Sequence, residues 1–308
     1  MATLCNCDSK YLNTGLPAST AILKESKWLV FAPAQDLSGN PPEIALTDVL
    51  DEAFFEAKFT SNKDLDRWYP YGGSNGLQNI NSPQRADPTV FETNEGNKYI
   101  TRQGSRDYQG HSFEAPPSYI GTIESMRCKK WVVFGVDDCG KISGKICTNS
   151  AGETVLRGFS VNEKSIYAIV IEGNPSEAGR IQMNFQISMV ENDANIRVAE
   201  TTYDWSTSNG LIQAEARDAA ATATEVTVNL VLGNTGEFDG TPATGLTTFA
   251  VQNLTTNATV TVSSSTESPA GSGSYTIAYA SGVSASDALN VTGVESGIAT
   301  NFKVTATA

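Results

Sequence analysis

Residues 180–190, RIQMNFQISMV, alternate apolar and polar side chains along their whole length. A period of two belongs to a β-strand, whose successive side chains point to opposite faces. Ile181, Met183, Phe185, Ile187 and Met189 thus share a face directed at a core, and Gln182, Asn184, Gln186 and Ser188 share one directed at water or a polar partner. Other β-type runs lie at 27–33 (KWLVFAP), 130–136 (KWVVFGV), 141–147 (KISGKIC), 154–160 (TVLRGFS) and 165–172 (SIYAIVIE). Helix signals are scarce. Thr47 to Phe59 carries Asp48, Asp51 and Glu52 ahead of apolar Phe54 and Ala57, which predicts an amphipathic helix with an N-cap. Ile120, Ile123 and Met126 allow a second short one.

The composition changes near Arg217. From Ala219 to Ala308 there are six acidic residues and a single base, Lys303, with no Trp or Cys. Short β-type runs recur there at 223–232, 246–253, 258–265, 273–280, 287–294 and 301–308, separated by Gly, Ser, Thr and Pro clusters. Such spacing predicts an immunoglobulin-like sandwich lacking the Cys and Trp hallmarks of antibody domains. The expected organisation is mainly β. An N-terminal β-sandwich or barrel domain spans 1–208 with one or two short helices, 209–218 is a linker, and 219–308 is an Ig-like β-sandwich.

Within the first domain, 61–117 is polar and rich in Gly, Asn and Pro, which predicts a long loop. Trp68, Tyr69, Tyr71, Phe91, Tyr99, Tyr108 and Phe113 lie in it and are costly to leave in water. If the loop has no regular structure with which to bury them, a neighbouring subunit must, so these seven are the candidate assembly interface.

Little in the sequence points to chemistry. Asp137-Asp138-Cys139-Gly140 sets two carboxylates beside a thiol, yet the flanking apolar runs make the same four residues a hairpin turn. The cysteines at 5, 7, 128, 139 and 147 do not have zinc-site spacing, and His111 is the one histidine, in a segment with no catalytic fingerprint. No catalytic residue, metal ligand or cofactor is expected. The first twenty residues have neither a basic nor an apolar signal region, so the chain is expected to be made in the cytoplasm with its thiols reduced, and no run is long enough for membrane insertion. A formal net charge of -13 opposes binding to nucleic-acid phosphates.

With its β-rich core, long aromatic loop and terminal sandwich, the chain resembles bacteriophage virion structural proteins, and more narrowly the tail tube proteins of long-tailed phages that bear a C-terminal Ig-like domain. The resemblance covers 1 to about 205 and the appended sandwich. It implies a homohexameric ring closed by edge-to-edge strand pairing, rings stacked into a tube with other virion proteins, and DNA passing without specific binding. It also implies Gln182, Asn184, Gln186 and Ser188 as lumen-facing candidates, and no enzymatic role. Other virion parts fit the same features: a head decoration, capsid or connector protein whose Ig-like domain makes weak contacts with host-surface glycans. A cytosolic hydrolase with an accessory sandwich would have to use His111 and the Asp137-Asp138 turn.

Overall fold

The computed structural model describes residues 25–61, 65–73, 75–81, 86–102, 104–113, 119–188, 191, 195–208, 212–232, 240–295 and 298–307. Its contacts divide the chain into two compact units, the second formed mainly by 209–308. Both are built from β-strands. Cys5, Cys7 and Met189 lie outside the described residues.

In the first unit one sheet contains β1 (Trp28–Pro33), β2 (Glu43–Ala45), β3 (Tyr69–Tyr71), β8 (Trp131–Val136), β9 (Ile142–Thr148), β10 (Thr154–Arg157), β11 (Phe159–Ser160) and β14 (Ile196–Ala199). Its main path runs β2-β10-β9-β8-β1-β3. A second sheet of four antiparallel strands is ordered β12 (Tyr167–Ile171), β13 (Arg180–Ile187), β7 (Arg106–Ser112), β4 (Gln78–Asn81). Two further strands, β5 (Thr89–Glu92) and β6 (Lys98–Arg102), pair with each other as a hairpin.

Burial explains why the runs read differently. β8 is buried at every position, as its unbroken apolar sequence requires, because the sheet is covered on both sides. On one side Val30, Ala32, Phe134 and Val136 pack with Phe55 and Phe59 of helix α1 (Glu52–Phe59), Trp68, Tyr203 and Trp205. On the other, Phe31 meets Phe185 of β13 edge-on, ring centroids 5.3 Å apart. The expected run at 154–160 is broken into β10 and β11 at Gly158, where a Cβ would come within 2.9 Å of Val132.

The helix expected over Thr47 to Phe59 is a single 3-10 turn followed by α1. Thr47 makes no capping bond. Asp51 does so instead, its Oδ1 accepting from the Ala53 N–H at 3.0 Å. A second helix, α2, spans Tyr119–Ser125.

The second unit contains β15 (Ile212–Ala221), β16 (Glu225–Leu232), β17 (Thr241–Pro242), β18 (Phe249–Asn253), β19 (Ala258–Val260), β20 (Val262–Glu267), β21 (Ser274–Tyr279), β22 (Ala288–Glu295) and β23 (Ile298–Thr305). Their order is β19-β18-β22-β23-β15-β16-β21-β20, and the strands at the two ends, β19 and β20, are consecutive in the chain. The sheet therefore curls into a sandwich, closed over Val226, Leu230, Val251, Tyr275, Ile277, Leu289 and Val291. With β15, β16, β21 and β20 in one half and β18, β22 and β23 in the other, this is the immunoglobulin arrangement. Tyr275 occupies the centre, its hydroxyl donating to the Ala243 carbonyl at 2.9 Å and accepting from Leu246 N at 3.2 Å.

Most of the linker expected at 209–218 is strand. From Ile212 onward it is β15, the strand that pairs antiparallel with β16 and parallel with β23. Its alanine-rich sequence carries no strand signal, and two waiting sheet edges impose the conformation. A register shift between Arg217 and Ala220, with Asp218 at φ +51°, marks an irregularity midway along it.

Candidate functional site

The segment 61–117 is not a structureless loop. It contributes β3, β4, β5, β6 and β7, and the first unit buries several of its aromatics by itself. Trp68 stacks on Phe134 at 5.2 Å, Tyr71 meets Phe31 edge-on at 5.4 Å, and Tyr108 stacks on Phe185 at 4.8 Å. These three are core residues, and the expectation that a neighbouring subunit must cover them is overturned. Gly, Asn and Pro punctuate turns between short strands here, and do not prevent strands. The Tyr71 hydroxyl donates to Met126 Sδ at 3.0 Å and that of Tyr108 to the Ser26 carbonyl at 2.9 Å. Burial pushes both phenols well above the usual tyrosine range. Tyr69 is half-buried, edge-on to Trp131.

Phe91, Tyr99 and Phe113 do remain exposed. The first two belong to the β5–β6 hairpin, whose described strand side chains are all exposed. Cross-strand pairing sets Val90 against Ile100 and Phe91 against Tyr99, so adjacent pairs point to opposite faces. The hairpin is an arm on the four-stranded sheet, because β5 follows β4, β6 leads into β7, and an Ala86 N–H to Ser105 carbonyl bond of 2.8 Å continues the pairing between them.

The four-stranded sheet carries the residues singled out on its central strand. Ile181, Met183, Phe185 and Ile187 are buried against the core. On the opposite face Gln182, Asn184 and Gln186 lie across from His111, Gln109 and Asp107 of β7. His111 Nε2 is 3.1 Å from Gln182 Oε1 and 3.2 Å from Gln109 Nε2, Gln182 Nε2 donates to Asn184 Oδ1 at 2.9 Å, and Gln186 Nε2 donates to Asp107 Oδ1 at 2.8 Å. Ser188 follows the strand, half-buried. Asn184 is buried, so of the expected set Gln182, Gln186 and Ser188 are the ones that reach solvent. Among the described residues four buried side-chain polar atoms have no hydrogen-bond partner, and three of them belong to this sheet: His111 Nδ1, Arg180 Nε and Asn184 Nδ2. Along its two outer edges, neither β12 nor β4 has a second partner strand among the described residues.

A histidine base needs a nucleophile at one ring nitrogen and an orienting acid at the other. His111 has carboxamides at Nε2 and no partner at Nδ1. Asp137 to Gly140 is a turn between β8 and β9, closed by the Asp137 N–H to Lys141 carbonyl bond at 3.0 Å. Asp137 is buried and its Oδ1 accepts from the N–H groups of Cys139 and Lys141 at 2.8 and 2.9 Å, while Gly140 supplies φ +77°. Three ligand-type atoms from Asp137, Asp138 and Cys139 lie within 4.8 Å of one another. However, Cys139 is disulfide-bonded, which corrects the expectation of five reduced thiols and removes the thiolate a metal would need. With no thiol proton, its 3.4 Å approach to Asp138 Oδ1 is a contact and not a hydrogen bond. Cys128 and Cys147 are free.

No protein-family model matches the chain, and no curated protein or solved structure matches it. No described helix is long and apolar enough to cross a membrane. Sequence reasoning missed β5, β6 and the pairing of His111 with Gln182. The apolar dipeptides Val90-Phe91 and Tyr99-Ile100 around the turn residues Asn94 to Gly96 were the available signal.

Proposed function

We propose that this chain is a structural subunit of a bacteriophage particle, one that closes into six-membered rings and stacks as a tail tube through which DNA passes, with the Ig-like unit facing outward. The observation that carries the reading is the four-stranded sheet: apolar on one face, lined with carboxamides on the other, and with no further partner strand at either edge among the described residues. Open edges attract further strands, and a closed ring of such sheets removes every edge. Neutral amides and an acidic balance leave a wall to which a phosphate backbone does not adhere. The exposed apolar arm is available for contact with another subunit. In this reading the protein has no catalytic role or cofactor, is made in the host cytoplasm and resides in the virion.

Negative-stain microscopy of the purified full chain at rising concentration tests this. Rings and hollow tubes with six-fold class averages are expected. A monodisperse monomer at every concentration overturns the proposal, and closed shells would move it to a head protein.

A further inference from the structure

The arm is apolar on both faces. Val90 and Ile100 are 44% and 62% exposed on one face, and Phe91 and Tyr99 58% and 57% on the other. A two-stranded hairpin is marginally stable alone, and its apolar side chains gain most from a partner that covers both faces at once. A strand edge does this, because strand addition places side chains of the incoming strand on both faces and satisfies backbone groups as well.

One such edge is present on the same chain. In β12 the consecutive residues Ile169 and Val170 point to opposite faces, 43% and 47% exposed, and among the described residues no strand pairs with its outer edge. Edge strands are commonly protected by charge, proline or a covering element. The sequence YAIVI of β12 contains neither charge nor proline. The opposite edge, β4, is QNIN and offers one apolar side chain.

We propose that the arm of one copy adds to β12 of another copy, with β5 as the pairing strand. This rests on the self-assembly reading above and specifies its contact. β5 is chosen because it continues from the open edge strand β4, whereas β6 leads into β7, whose far edge is held by β13. Antiparallel addition would bring Glu95, in the turn after β5, toward exposed Lys164, three residues before β12.

The test replaces Phe91 with the photo-crosslinking residue p-benzoylphenylalanine in the full chain and irradiates a mixture of 15N-labelled and unlabelled protein after assembly. Adducts at residues 167–172, joining labelled to unlabelled peptides, are expected. Ile169→Asp with Val170→Asp should raise the concentration needed for assembly by about tenfold or more and abolish those adducts. If that variant unfolds by circular dichroism, Val170→Thr replaces it and the adduct yield at 167–172 should fall. Adducts confined to one copy, or at other sites of a second copy while tubes still form, overturn the arm contact alone. Failure of the unmodified chain to assemble overturns the reading beneath it.

Discussion

Tyr108 lies flat on Phe185, their ring centroids 4.8 Å apart and their planes within 22°. The contact fastens a strand from the polar segment 61–117 to the most regular strand of the chain, and both rings are buried. Tyr108→Ala should therefore destabilise the isolated protein by about 3–5 kcal/mol in chemical denaturation. Tyr108→Phe keeps the ring and loses only the bond to the Ser26 carbonyl, about 1 kcal/mol. An unchanged monomer stability for Tyr108→Ala would mean that this segment is held by a neighbour after all.

Asp137 accepts two backbone N–H groups while buried. Asp137→Ala should cost about 1–3 kcal/mol, with Asp137→Asn costing less because an oxygen acceptor remains. Added calcium or zinc should not raise the melting temperature; a saturable rise would reinstate a metal site in this turn.

Glu191 gives a pH dependence of defined sign. Burial alone would raise its pKa, but bonds from Lys145 Nζ at 2.7 and 3.0 Å and from the Ser160 N–H at 2.9 Å outweigh that and hold it below the ordinary 4.5. A carboxylate with a depressed folded-state pKa contributes stability that is present above the unfolded value and lost as pH falls through the folded one. Stability should thus decline as the medium is acidified below about 4.5. Glu191→Gln should lose about 2 kcal/mol near neutrality and flatten the acid limb of the curve. An unaltered acid limb would assign the effect to other carboxylates.

Because β15 lies between β16 and β23, fragments 209–308 and 219–308 should behave differently. The longer should fold cooperatively on its own, with a single thermal transition. The shorter lacks most of β15 and exposes both neighbouring edges, so it should be poorly ordered or aggregate. Equal stability of the two would make 212–218 a dispensable linker.

Alkylation should separate the cysteines. Exposed Cys128 should react in the native protein, and Cys139 only after reduction. Labelling of Cys139 in denaturant without a reductant would return it to the free thiols.

How much was legible follows from how local each signal is. Strand identity was legible in the residue pattern wherever burial is one-sided or complete. Ile181 to Ile187 declared a half-buried strand, Trp131 to Val136 one buried on both faces, and the alternation from Val226 to Leu230 a sandwich strand, because side-chain direction in a strand depends only on residue parity. Residues whose environment is non-local were decided by tertiary structure alone. Trp68, Tyr71 and Tyr108 look identical in sequence to Phe91 and Tyr99. The first three are core because Phe134, Phe31 and Phe185, far along the chain, offer rings to receive them. Residues 212–221 are a strand because β16 and β23 leave a gap of one strand's width, whatever alanine prefers. Which strand ends a sheet, and so which backbone groups remain open at β4 and β12, depends on pairing order, and pairing order is a property of the assembled chain that no local residue pattern encodes.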